Sequence, residues 1–206
     1  YEGEISLSWR RLYCGIYSLV KDGVTYYFVD NEYYFKRDML YGCFDDGERY
    51  AFFCKAVLEM MPRIDFFPDV MHAHDWQSAL SVIYLKRKYR YFEEYSNMKA
   101  VYTIHNIEYQ GIFSMDTFGE LFGFSESLKS FIEFNGNVNL MKGAIEMSDL
   151  VNTVSPTYAN EIKYDFFSHG LSQIANELEY KTVGILNGID QVLYNPSKDE
   201  RLFSNY

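Results

Sequence analysis

Asp69-Val70-Met71-His72-Ala73-His74-Asp75-Trp76 is the stretch on which the fold is decided. Residues 69–73 read as a short apolar strand that breaks at His74-Asp75-Trp76. A helical pattern follows over about 77–90, with Leu80, Ile83 and Tyr84 on one face. The same unit recurs downstream. A strand over 100–104 ends in His105-Asn106, and helical spacing returns at 138–147. A strand over 150–154 ends in Ser155-Pro156, where Pro at the first helical position behind a Ser cap is a good helix start. A fourth strand, 182–186, ends in Asn187-Gly188, and a tight turn is expected there with Gly188 in a backbone conformation other residues resist. Upstream, residues 4–9 alternate, and strands at 13–20 and 24–30 flank the turn signal Lys21-Asp22-Gly23. Tyr50, Phe53, Cys54, Val57, Leu58 and Met61 then keep the i, i+3, i+4 spacing of one buried helix face, which Pro62 stops.

Short apolar strands alternating with helices predict an α/β domain with an open, doubly wound, mainly parallel sheet. In such sheets the ligand lies in the crevice beyond the carboxyl ends of the strands. Four strands here end in polar residues, namely His74/Asp75, His105/Asn106, Ser155 and Asn187. One site along one edge of the sheet is the expectation.

Composition narrows the function classes. The 206 residues carry a formal net charge of −10, which disfavours nucleic acid and anionic membrane as partners because phosphates are repelled. With 48% hydrophobic residues the chain can bury a sizeable core. No apolar run reaches the roughly 18 residues of a membrane span. Cys14, Cys43 and Cys54 are odd in number and lack a CxxC spacing, so free thiols in a reducing, cytoplasmic setting are expected. Phosphate-loop, dinucleotide and nucleophile-elbow fingerprints are missing from the sequence.

The polar strand ends leave alternatives open. His72 and His74, two apart on a strand, point to one side and with Asp75 raise a metal-dependent hydrolase as a reading, although metal sites need three or four placed ligands. In the plainer reading His72 is a packed strand residue and Asp75 caps the following helix. His105 suits either a sugar hydroxyl or a purely structural hydrogen bond.

Several motifs, in order along nearly the whole chain, resemble the glycogen/starch synthases. They are His72-Ala73-His74-Asp75-Trp76-Gln77, Tyr102-Thr103-Ile104-His105-Asn106-Ile107-Glu108-Tyr109-Gln110-Gly111, Phe134-Asn135-Gly136-Asn137, the run Val154–Ile162 (numbers 154–162) and Gly184-Ile185-Leu186-Asn187-Gly188-Ile189-Asp190. The bacterial, ADP-glucose-using branch is the nearest in kind. The resemblance implies two Rossmann-like domains facing a cleft, the GT-B arrangement. It implies transfer of glucose from ADP-glucose to the non-reducing end of an α-1,4-glucan with retained configuration, and no metal or other cofactor. It places His105 and Asp75 at the reaction centre, and Asn106, Tyr41, Asn187 and Gly188 at substrate-binding positions. The family's Lys-Thr-Gly-Gly-Leu donor loop and its second domain do not occur in these residues. The expectation is therefore a partial acceptor-side domain over 1–190, the start of a connection to a second domain over 191–206, and an inactive isolated piece. A non-catalytic glucan-binding module is the alternative from another class.

Overall fold

The computed structural model describes residues 1–205. Lys21-Asp22-Gly23 does reverse the chain. Asp22 and Gly23 both take positive φ, 52° and 77°, which matches the right-handed twist of the strands they join. Strands β1 (Glu2–Leu7), β2 (Arg10–Lys21) and β3 (Val24–Asp30) form an antiparallel sheet in that order. Alternation works only on β1, where Ile5 and Leu7 are buried; Trp9 falls in the β1–β2 turn and is exposed.

The second sheet is the parallel one. Its strands are β4 (Val70–His74), β5 (Lys99–Ile104), β9 (Leu150–Thr153) and β10 (Thr182–Gly184), in the order β10-β9-β5-β4. Ala100, Tyr102, Thr103 and Ile104 of β5 are all buried, the signature of a central strand covered on both faces. A third, small sheet has the order β6-β8-β7, from β6 (Ile112–Ser114), β7 (Glu133–Phe134) and β8 (Asn137–Asn139). Asn135 and Gly136, at φ 52° and 78°, make its tight β7–β8 turn. The fold is thus mixed α/β around a parallel sheet, with the first three strands set apart from it.

Helices fill the layers. The Asp46–Met60 helix packs on β1 and on the Asp75–Arg87 helix, which in turn packs on β4, β5 and the Leu140–Met147 helix. The first of these is buried almost all round. Ala51 and Phe52 are fully enclosed, whereas Tyr50, Phe53 and Val57, expected inward, are half-buried. Pro62 ends it in a single 3-10 turn, Met61–Arg63. The second helix starts two residues earlier than its periodicity indicates and stops at Arg87. Val138 belongs to β8, and the third helix starts only after Asn139, whose side chain accepts the N–H of Lys142. Ser155 caps the Pro156–Glu161 helix as its sequence indicates, accepting from Tyr158 at 2.9 Å. The three cysteines are free; burial pushes the Cys14 thiol up to about 11 and that of Cys54 to about 12. No helix among the described residues is long and apolar enough to cross a membrane. Residue 206, the end of the 191–206 stretch, lies outside the described residues.

Candidate functional site

The register of β4 against β5 pairs His74 with Thr103, so Asp75 and His105 emerge side by side at the carboxyl ends of neighbouring strands. Asp75 does not cap its helix. It sits at φ 55°, a left-handed conformation costly for most L-residues, and turns its carboxylate across to the next strand. Asp75 Oδ1 accepts the backbone N–H of His105 at 2.8 Å. The helix end is served by Ser78 instead, whose hydroxyl accepts from the His74 N–H and donates to the His74 carbonyl, both at 2.6 Å. Beyond His105 the chain turns on Asn106, whose Oδ1 accepts the N–H of Glu108 at 2.9 Å. The N–H of Ile107 donates to the Tyr158 hydroxyl, and the Gln110 side chain donates to the carbonyls of Ile107 and His169. These bonds hold the 105–111 segment against two helices.

Tyr41 reaches the same place from another element. Asp46 Oδ2 accepts the N–H groups of Gly42 and Cys43. Buried Arg49 donates to the Tyr34 and Leu40 carbonyls and pairs with Asp46. The Tyr50 hydroxyl donates to the Leu40 carbonyl as well. The loop carrying Tyr41 is thereby pinned at both sides of that residue, and its ring lies 6.4 Å from that of Tyr109. Tyr41, Asp75, Trp76, Gln77, Asn106 and Tyr109 line an open hollow of about 190 Å³. Trp76 is held beneath it, edge-on to Tyr50 at 5.0 Å and against Gly111, where a Cβ would come within 2.9 Å of the indole.

Three imidazoles gather at this edge. His72 and His74 share a side of β4 with ring centroids 4.2 Å apart, and His74 Nδ1 lies 3.0 Å from His105 Nε2. Burial, and then the neighbouring His72 and His105, lower the His74 imidazole from its ordinary pKa. Among the described residues, these histidines and Asp75 do not gather three ligand atoms at one point, as the metal reading needs. His72 Nε2 is spent on the Thr103 hydroxyl at 2.6 Å, and Asp75 on His105. Among the described residues, the one metal-like group is Cys43, Asp45 and Asp46. There Asp45 is taken bidentately by Arg37, and Asp46 by Arg49.

The structure brings together Asp75, His105, Asn106 and Tyr41. Asn187 and Gly188 stand beyond a different strand of the same sheet. Both are exposed past the end of β10, at the sheet edge opposite β4, and neither lines the hollow. Gly188 also lies outside the left-handed region, so the special turn expected there is not formed. Trp76, Gln77 and Tyr109 line the hollow without having been singled out for it, while His74, itself one of the polar strand ends, touches His105. The signal for the three lining residues was adjacency, since each sits one to four residues from a polar strand end. A larger cavity, about 350 Å³, lies at the other end of the sheet beside Lys86, Lys99 and Asp149. Its polar groups are occupied structurally, with Lys86 bonded to Asp149 and to the Met98 carbonyl.

Known proteins resemble this chain throughout. The family model described as the starch synthase catalytic domain matches residues 1–177. The glycogen synthase of Anoxybacillus flavithermus is 48% identical over 197 residues, covering 95% of this chain and 41% of that protein. The glycogen synthase of Alkaliphilus metalliredigens is 46% identical over 204 residues, covering 98% of this chain and 43% of its own length. Among solved structures, the catalytic domain of Starch Synthase IV from Arabidopsis thaliana bound to ADP and acarbose superposes with a TM-score of 0.85 at 30% identity. It covers 100% of this chain and 43% of its own. The chain thus spans less than half the length of the curated relatives it matches.

Proposed function

We propose, from the premise that this chain belongs to the starch synthase catalytic domain family, that it supplies the acceptor-side wall of a two-domain cleft. In that cleft glucose passes from ADP-glucose to the non-reducing end of an α-1,4-glucan, with retention and without a metal or cofactor. The observation that carries the reading is the hydrogen bond from the His105 N–H to Asp75, at the rim of an aromatic-walled hollow. Exposed Tyr41 and Tyr109 offer ring faces suited to a pyranose, with buried Trp76 packed beneath them. Asn106 and Gln77 offer amides for its hydroxyls.

The roles follow from charge and position. Bond cleavage at the anomeric carbon develops positive charge on the sugar. The Asp75 carboxylate and the carbonyl at His105, at the strand ends, are negative ends aimed at that charge. The acceptor hydroxyl must be held on the face from which the nucleotide phosphate departs, so that this phosphate takes its proton. Holding it there is a positioning task for the hollow. Asn187 and Gly188 are read as approaching the donor where the second domain closes. Residues 191–206 are read as the start of the connection to it; Val192 and Leu193 there hold apolar side chains in solvent.

The test is transfer of labelled glucose from ADP-glucose to glycogen, with and without chelator. The 206-residue chain alone is expected to show no turnover, because among the described residues the hollow is lined by no cationic side chain to hold a diphosphate. Joined in frame to the remaining portion of a curated relative, it is expected to transfer glucose, insensitive to chelator and abolished by Asp75→Ala. Glucan binding that persists without transfer in the joined protein would favour the binding-module reading and refute this one.

A further inference from the structure

His74 stands beside the proposed reaction centre and has no part in the reading above. Its Nδ1 lies 3.0 Å from His105 Nε2. A contact of that length between two ring nitrogens needs one N–H and one lone pair. If His105 supplies the hydrogen, neutral His74 must carry its own on Nε2. If His74 supplies it, His105 must carry its own on Nδ1. Either way the two neutral rings hold the same tautomer. In a mixed pair, two hydrogens or two lone pairs would face each other.

The third ring is already fixed. Thr103 Oγ1 donates its one hydrogen to Asn152 Oδ1 at 2.6 Å. His72 Nε2, also 2.6 Å from that hydroxyl, must then be the donor. Thr103 is buried, so the plane of His72 is held from below, and His74 lies over it with the ring planes inclined by 31°. A continuous path results, from Asn152 on β9 through Thr103 on β5 and His72 and His74 on β4 to His105.

We propose that His74 is a positioning residue, which fixes the tautomer and the orientation of the His105 imidazole at the cleft by sharing one hydrogen with it. The catalytic value of this role rests on the function proposed above; the shared hydrogen does not. One added proton preserves the contact, since an imidazolium donates into the remaining lone pair. A second sets two N–H groups face to face and breaks the contact. The groups that bear on His74 are His72 and Asp75 from its own segment and His105 from the end of β5; β9 contributes only neutral Asn152. The lowered pKa of His74 agrees with this arrangement.

Long-range proton–nitrogen NMR of the 15N-labelled chain tests it. The sequence holds four histidines, His72, His74, His105 and His169, so single substitutions assign every ring. At alkaline pH, His74 and His105 are expected in one common tautomer and His72 with its hydrogen on Nε2. His74→Phe keeps a ring to lie over His72 but removes the nitrogens, and is expected to release His105 into a tautomer mixture. His74→Asn sets an amide near the place of Nδ1 and is expected to restore a single tautomer. Unmoved His169 signals report an intact fold. Opposite tautomers in the unmodified chain would overturn the proposal, a result that needs no variant. So would His105 signals that His74→Phe leaves unchanged. In the joined protein, His74→Phe is expected to lower kcat about tenfold or more while KM changes less, with His74→Asn recovering most of the loss. Equal losses in both variants, with the fold intact, would refute the positioning role. Failure of transfer altogether would sink the proposed function and leave the tautomer result standing.

Discussion

Asp75 offers a sharp test of how the site is held, because two opposing terms meet in one residue. Its φ of 55° is a strain that glycine escapes and alanine feels fully, roughly 1–2 kcal/mol between them. Its carboxylate also accepts the His105 N–H at 2.8 Å, a bond to a charged acceptor at a half-exposed position, for which about 1 kcal/mol is reasonable. Asp75→Ala loses the bond and adds strain, so a destabilisation of about 2 kcal/mol is expected. Asp75→Gly loses the bond but relieves strain, and should come out near zero. Asp75→Asn keeps an acceptor and tolerates the conformation, so it should stay within about 0.5 kcal/mol of the parent. The order Gly above Ala reverses ordinary helix propensity, in which Ala leads by about 1 kcal/mol. For a chain of this size each kcal/mol moves Tm by about 2–4 °C. Calorimetric melting of the three variants reads the order directly. An alanine variant melting at or above the glycine variant would show that the backbone at residue 75 is not left-handed, and the account of why its carboxylate faces His105 would fall with it.

Further expectations concern the surrounding scaffold. The Tyr102 hydroxyl is buried without a hydrogen-bond partner among the described residues, so Tyr102→Phe should raise stability by about 1 kcal/mol; an unchanged or lower Tm would contradict this. Gly184 has no room for a side chain, since a Cβ there would come within 2.2 Å of the Ser155 carbonyl and 2.4 Å of Pro156 Cα. Gly184→Ala should cost about 1–3 kcal/mol and speed amide exchange at residues 182–184, and unaltered exchange would refute the close approach. Asp149 is held below the ordinary carboxylate range: burial acts against this, and the Lys86 ammonium and the Ala100 N–H outweigh it. A depressed carboxylate stabilises the fold above its unfolded pKa of about 4 and stops doing so as pH falls through the folded value. Asp149→Asn should therefore flatten the loss of stability below about pH 4, and parallel acid curves for the two proteins would argue against the assignment.

How much of this was legible in the sequence divides along a physical line. Features governed by neighbouring residues could be read: the Asp22-Gly23 turn, the Ser155 cap with Pro156, and the strand–polar-break rhythm that places Asp75 and His105 at strand ends. Features governed by what lies across space could not. Asp75 looks like a cap because aspartate ahead of a helix usually is one; only the neighbouring strand reveals the His105 N–H that draws its carboxylate away. Phe52 falls off the expected apolar stripe because the Asp46–Met60 helix is enclosed on more than one side. The small β6-β8-β7 sheet is too short for alternation to show, and Val138 accordingly read as helix. Asn187 and Gly188 sit in a motif of the family, yet the order β10-β9-β5-β4 sets them two strands from His105. Motif similarity assigns them to the donor, and nothing in these residues alone carries them there.

The pairing of His74 with Thr103 has a consequence beyond the hydrogen bonds it sets up. Asp75 follows directly from the last rung of that ladder and His105 follows the last residue of β5, so their separation is a property of the sheet and not of any loop. The segment bearing Tyr41 is tied in from a separate element, so a change there leaves the corner between Asp75 and His105 at the same dimensions. A slip of β4 by one residue would turn both of its histidines to the other face, and innovation at this rim is therefore open to its loops and closed to its strands.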